Sequence, residues 1–247
     1  MVKTPKHNEL IVVALADTDE TRRMHHRLRY QVYCEELGYE DPRSFSDGEE
    51  RDRFDEDAVH FVAYDRRNQN WVGALRLIPP SVHDLPLLAA TGIAGEVLPL
   101  FRERRVAEIS RMCVPARIRK SSDGFLASNG RVESRCASES ALIFFALVRA
   151  SVGYAFQQKI DYLAFLTSLP LSRLLARLGI KDHPAGTACN HRGIRYPRIA
   201  DVAGLFQDLI GAHSDHPFVP KLAPEPFLRH SLFPEVFCPE QALAACG

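Results

Sequence analysis

Residues 106–114 read Val106-Ala107-Glu108-Ile109-Ser110-Arg111-Met112-Cys113-Val114, an apolar run of strand character interrupted by two charged residues and a hydroxyl. Burying a carboxylate or a guanidinium is unfavourable unless it is paired, so the segment is either a strand held by ion pairs or the floor of an active site. In a regular strand Glu108 and Ser110 share one face and Arg111 takes the other. All three line one cleft only if a bulge re-aims Arg111.

The elements on either side place this segment in a sheet. Upstream, His60 to Tyr64 and Trp71 to Ile78 alternate as two strands around the polar turn Arg66 to Asn70, a hairpin with Arg76 inside its second strand. Further back, Leu10 to Leu15 suits a first strand. Asp17 and Asp19 offer caps for a helix from Glu20 to about Leu37, stopped by Gly38, with Arg29 and Tyr33 four apart on one side. Residues 40–57 form a long acidic loop without apolar period, and Pro79 to Arg105 carries too many prolines and glycines for a regular element. Downstream, Ala141, Phe144, Phe145, Val148, Val152 and Phe156 give one apolar face to a helix from about Ser138 to Gln158. Then follow a strand at Asp161 to Leu166, a helix at Leu169 to Leu178 stopped by Gly179, and two strand-like pieces between Gly186 and Ile199 around Gly193. This order of strands and helices predicts an α/β sheet rather than a bundle or a sandwich.

With 46% hydrophobic and 25% charged residues the chain has the composition of a globular protein, and its 247 residues suffice for a sizeable core. Thirty-one basic residues balance thirty-one acidic ones, which argues against generic nucleic-acid binding. The six cysteines show no metal spacing and are expected as reduced thiols. Cys34 and Cys113 read as small buried hydrophobes. His25-His26 and Cys189-Asn190-His191 lack the further ligands of a metal site, so no metal is expected. The start has no signal-peptide core and Ala141 to Val148 is too short to span a bilayer, so the expected location is the cytoplasm. Past Asp201 the pattern weakens, and Pro217, Pro220, Pro224, Pro226, Pro234 and Pro239 mark a C-terminal extension. The expected organisation is one domain over 1–205 and an extension over 206–247 that packs on the domain or on a partner.

Several fragments in order resemble the acyl-homoserine-lactone (autoinducer) synthases. They resemble still more closely the acyltransferases of PEP-CTERM/exosortase systems and the N-acyl amino acid synthases. Leu28-Arg29-Tyr30-Gln31-Val32-Tyr33 is similar to the family's L-R-x-x-V-F, and Asp52-Arg53-Phe54-Asp55 to its D-x-x-D. Gly73-Ala74-Leu75-Arg76-Leu77 is similar to its G-x-x-R-L, and Glu108-Ile109-Ser110-Arg111 to its E-x-S-R. The resemblance implies a GNAT-type fold, a central mixed and mostly antiparallel sheet flanked by helices. It also implies transfer of an acyl chain, expected to be long, from a thioester to an amine, with a bulge in the central strand. Tyr39 stands where the autoinducer synthases carry tryptophan, which disfavours S-adenosylmethionine as the acceptor. The GNAT pyrophosphate loop is also missing: Arg117-Ile118-Arg119-Lys120-Ser121-Ser122-Asp123-Gly124 has one glycine, too few to cradle a diphosphate.

These residues then take expected roles. Glu108, desolvated among apolar neighbours, is the base that removes the amine proton, with Ser110 and Arg111 beside it. Asp52 and Asp55 hold Arg29 and Arg111 and meet the acceptor's ammonium group. Arg29 and Arg76 suit an acceptor carboxylate, and Tyr33, Tyr39 and Phe54 line the substrate pocket. Arg117, Arg119 and Lys120 face the acidic surface of an acyl carrier protein, the expected donor partner, with acyl coenzyme A as the other donor and no permanently bound cofactor. Two alternatives stand beside this: synthesis of acyl-homoserine lactone from S-adenosylmethionine, and a non-catalytic acyl-ligand-binding protein with the same fold.

Overall fold

The computed structural model describes residues 11–80, 85–120, 139–177 and 180–209. The first strand, β1 (Ile11–Leu15), leads into helix α1 (Asp19–Tyr30). The cap is Thr18 rather than either aspartate: Thr18 and Thr21 exchange side-chain and backbone hydrogen bonds at 3.2 Å, while Asp19 stands in the first turn, where a carboxylate meets the helix dipole. The helix continues as a π-helical segment, Gln31–Glu36, and Gly38 closes it at a φ of 61°. The acidic loop includes only a short turn of helix at Pro42–Ser44.

The predicted hairpin is β2 (Val59–Asp65) and β3 (Asn70–Ile78). Between it and the central strand, where no regular element is expected, lie two short helices, α2 (Pro86–Ala90) and α3 (Leu98–Glu103). Proline explains the difference. Pro86 and Pro99 sit in the first turns, where the missing N–H has no helical partner to lose. The central strand β4 (Val106–Cys113) is followed by α4 (Ala116–Lys120), the long helix α5 (Glu139–Gln157), β5 (Tyr162–Thr167) and α6 (Leu169–Arg177). Next come β6 (His183–Pro184), β7 (Cys189–Asn190), β8 (Ile194–Asp201) and α7 (Val202–Leu209). The Gly179 stop and the extension from residue 210 lie outside the described residues.

The strands form one mixed sheet in the order β1-β2-β3-β4-β5-β8-β6, with β7 paired to β8. Every adjacent pair is antiparallel except β4 and β5, whose parallel pairing runs from Val106↔Tyr162 to Ile109↔Phe165 and then stops. Beyond Ile109 and Phe165 the two strands no longer pair, so they part beside Ser110. One face of the sheet packs on α5 and α7 through Phe61, Leu75, Leu77, Ala107, Ile143, Leu147 and Leu163. Helix α5 is long and apolar enough to cross a membrane by length and composition, yet Ile143, Leu147 and Val152 are fully buried, as in a core helix. The other face carries α1 through Met24, Leu28 and Val32, and farther along α2 and α3 over Val106, Ala164 and Ile199. Glu108, Ser110 and Arg76 lie on this second face.

The segment that joins α2 to α3 is held against the β6–β7 loop where Ile93 pairs with Gly186, and a Cβ at Gly186 would lie 2.1 Å from the Gly92 carbonyl oxygen. Only glycine permits this approach. Gly186→Ala is therefore expected to lower stability by about 1–3 kcal/mol, read in a urea melt, because backbone and not a flexible side chain must move. An unchanged midpoint would show that this docking contributes nothing to the fold.

Candidate active site

The site begins with a bulge in β4. Opposite β3, Ala74 aligns with Cys113 and Arg76 with Ser110, so one residue more on β4 spans the same length. Arg111 takes the left-handed backbone that accommodates it, at a φ of 51°. As expected, the bulge brings Arg111 to the face of Glu108 and Ser110.

Three guanidiniums and three carboxylates close a ring there. Glu50 accepts from Arg29 Nε at 2.5 Å and from Arg111 Nε at 3.1 Å. Asp52 accepts from Arg111 Nη2 at 2.9 Å and from Arg76 Nη1 at 2.6 Å. Asp55 accepts from Arg76 Nη1 at 3.0 Å and from Arg29 at 2.5 and 3.0 Å, which completes the circuit. The loop folds to allow it: the Asp52 N–H donates to Asp55 Oδ2 at 2.7 Å and the Phe54 N–H to Asp52 Oδ1 at 2.9 Å. Each charge has two opposite neighbours, and the six sum to zero. Although burial opposes it, the guanidiniums hold both Asp52 and Asp55 below the ordinary carboxylate range.

The ring corrects one expected role. Side chains of Arg29 and Arg76 are 0% exposed and already bonded to carboxylates, so neither faces an acceptor; they are the buried half of the ring. The open edge is Asp52 and Arg111, whose side chains are 25% and 14% exposed. Glu50 has the reverse history: sequence offers no mark separating it from Glu49 and Asp47 in the acidic loop, yet it is 1% exposed and indispensable to the circuit.

Glu108 stands apart from the ring. It is 3% exposed, forms no ion pair among the described residues, and its Oε2 accepts the Leu87 N–H at 2.8 Å. Burial pushes its pKa up to about 7, against the lowering effect of that N–H and of Arg76 and Arg111. Arg76, on the neighbouring strand, does not pair with it. Instead Arg76 Nε donates to Ser110 Oγ at 3.1 Å, which leaves the Ser110 proton available to a further acceptor.

Aromatic groups border the ring. The Tyr33 hydroxyl donates to the Met112 carbonyl at 2.8 Å and so ties the π-helical segment to the bulge, while its ring stacks with Tyr39 at 6.3 Å. Tyr39 is exposed at the rim. The Phe54 ring lies under the Arg53 guanidinium at 4.7 Å and 5.9 Å from that of Arg76. Arg192, unmarked in sequence, reaches in from the loop before β8, 5.9 Å from the Tyr33 ring and ion-paired with Glu40. The expected cationic surface is partly engaged: Arg119 pairs with Glu36 at 2.8 Å, and Glu36 also caps the Ala116 N–H. Arg117 is exposed with one donor on the Trp71 carbonyl, and Lys120 ends the described part of α4. Cys113 is buried with its thiol pushed up to about 12, which suits the small hydrophobe expected and not a nucleophile.

Loss of one ring member leaves its partners charged and buried. Asp55→Asn is expected to cost about 3–5 kcal/mol in a urea melt. Because the aspartates titrate lower in the fold than in the open chain, their contribution is complete above about pH 4 and is lost as pH falls further. A native-like melt for Asp55→Asn would contradict the circuit.

Residues 28–126 match the family model of the acetyltransferase (GNAT) domain. No curated protein matches the sequence. Among solved structures the chain is similar to FeeM, an N-acyl amino acid synthase from uncultured soil microbes, at 17% identity over 81% of this chain and 93% of that one, TM-score 0.55. It is similar to BjaI, a CoA-dependent acyl-homoserine lactone synthase, at 19% identity over 90% and 93%, TM-score 0.57. TofI, in a ternary complex with an inhibitor and MTA, is similar at 22% identity over 78% and 91%, TM-score 0.54. Residues 28–126 thus match an acetyltransferase (GNAT) domain, and the fold of the chain is the one it shares with these proteins.

Proposed function

We propose that the chain is an N-acyltransferase that moves a long fatty acyl group from acyl carrier protein or coenzyme A to the amine of an amino acid or related small molecule. The observation that carries this reading is Glu108, a buried carboxyl with a pKa of about 7 on the strand where the cleft opens. A carboxylate at ordinary pKa is too weak a base to be useful near neutrality, whereas one near 7 is matched to the task.

The acceptor's ammonium group meets Asp52 at the open edge of the ring, and Glu108 takes a proton directly or through water. The neutral amine attacks the thioester carbonyl carbon, the C–N bond forms as the C–S bond breaks, and the departing thiolate takes up the second proton of the attacking nitrogen and leaves with the carrier as the thiol. Ser110, its oxygen already accepting from Arg76, turns its proton toward the developing oxyanion, and Arg111 adds positive charge nearby. Tyr33 and Tyr39 flank the acyl and acceptor groups. Exposed Arg117, with Arg119 and Lys120 on the same short helix, favours an acidic carrier protein as donor in the cytoplasm. FeeM, similar in fold, is an N-acyl amino acid synthase, which supports this reading, and the narrower tie to exosortase systems rests on motif spacing alone.

Mass spectrometry of lipids from a host expressing the protein should show new N-acyl amino acids. An acyl-homoserine lactone formed from S-adenosylmethionine would overturn the acceptor assignment, and no new species with folded protein would overturn the activity. With purified protein, kcat/KM should rise through about pH 7, and Glu108→Gln should lower it by about 10²–10⁴-fold and abolish that rise, with an unchanged melt. Equal rates with both donors would remove the preference for carrier protein.

A further inference from the structure

Beneath the charge ring three histidines converge from two elements. His25 and His26 are neighbours on α1, and His60 projects from β2; their exposures are 0%, 8% and 3%. Ring centroids are 4.5 Å apart for His25 and His60, 5.4 Å for His26 and His60, and 5.5 Å for His25 and His26. One ring nitrogen from each lies within 4.8 Å of those of the other two.

The hydrogen bonds determine which nitrogens carry lone pairs. His25 Nε2 lies 3.3 Å from the Leu75 carbonyl oxygen and His60 Nε2 lies 2.9 Å from that of Asp55. A carbonyl only accepts, so in both rings Nε2 bears the proton and Nδ1 the lone pair. Those two Nδ1 atoms, together with His26 Nε2, are buried without a hydrogen-bond partner among the described residues. Three orphaned nitrogens in one place are unusual, since buried polar atoms are nearly always bonded. The pattern is that of metal-ligating histidines, whose second nitrogen donates to a backbone carbonyl that orients the ring.

We propose that His25, His26 and His60 form a binding site for Zn²⁺ or a similar first-row divalent ion, with water completing a four-coordinate shell. An all-imidazole set suits such ions. Zinc–nitrogen bonds of about 2.0–2.1 Å imply ligand separations of roughly 3.4 Å, so the rings draw in on binding. Arg29 opposes a cation here, but the ring it belongs to is neutral and its Asp55 lies 4.0 Å from His60 Nδ1. The ion clamps α1 to β2, and through the His60–Asp55 bond it steadies the loop that supplies Asp52 and Asp55. Its role is structural, and it is independent of the acyl-transfer reading.

The test is a calorimetric titration of zinc chloride alone into the full chain stripped by chelator, with elemental analysis after desalting. One equivalent per chain and a raised melting temperature are expected. His26→Gln should lose that equivalent while keeping its far-ultraviolet circular dichroism. Absence of saturable binding by folded protein overturns the site, as does one equivalent undiminished by His26→Gln, which places the ion elsewhere. If His26→Gln fails to fold, cobalt(II) bound to the native chain decides: intense four-coordinate ligand-field bands without thiolate charge transfer support the site, and thiolate bands or weak six-coordinate absorption overturn it.

Discussion

Closure of the ring formed by Arg29, Glu50, Arg111, Asp52, Arg76 and Asp55 is the interaction on which the other features of the site depend. It joins α1, the acidic loop, β3 and β4 through side-chain charge, at the point where the β3–β4 ladder is interrupted by the bulge. A buried ion pair is weak evidence of net stability, but removal of one partner costs about 3–5 kcal/mol. A non-glycine residue in the left-handed region costs about 1–3 kcal/mol. The comparison explains why Arg111 keeps a φ of 51°: releasing the bulge would turn its guanidinium away from Glu50 and Asp52. The Tyr33 hydroxyl on the Met112 carbonyl holds the same distortion from the other side.

Neutrality of the ring has a consequence for Glu108. Three guanidiniums close to a carboxylate would ordinarily hold it ionised, yet each is already matched by two acids. What remains at Glu108 is desolvation opposed by one backbone N–H and by residual attraction to Arg76 and Arg111, and desolvation prevails. A positively charged pocket without Glu50, Asp52 and Asp55 would make Glu108 a poor base. The ring therefore sets both the geometry of the strand and the proton affinity of the carboxyl beside it.

Much of this was legible in sequence because apolar surroundings make polar residues conspicuous. Glu108, Ser110 and Arg111 announce themselves in β4, and Arg76 does so in β3, so the bulge followed from requiring one face for all. Period also located β2, β3 and α5 within a residue or two. The loop was harder, because Glu49, Glu50, Asp52 and Asp55 look alike until folding buries three of them and leaves Asp52 at the edge. The expectation that Arg29 and Arg76 meet an acceptor carboxylate overlooked how fully the loop's own carboxylates engage and bury both guanidiniums. His60 escaped notice as a neighbour of His25 and His26 because it lies in a strand whose apolar alternation accounts for it, thirty-odd positions away. Thr18 and the helices at Pro86 and Pro99 were missed for a local reason: caps and first turns depend on backbone geometry that composition conceals.

Burial places the proton equilibrium of Glu108 near neutral pH. Infrared difference spectroscopy of the carboxyl C=O stretch, native chain against Glu108→Gln, measures this directly as pH is varied. A protonated carboxyl band, absent from the variant, should disappear with a midpoint near pH 7. Disappearance near the ordinary glutamate value of 4.5 would contradict it.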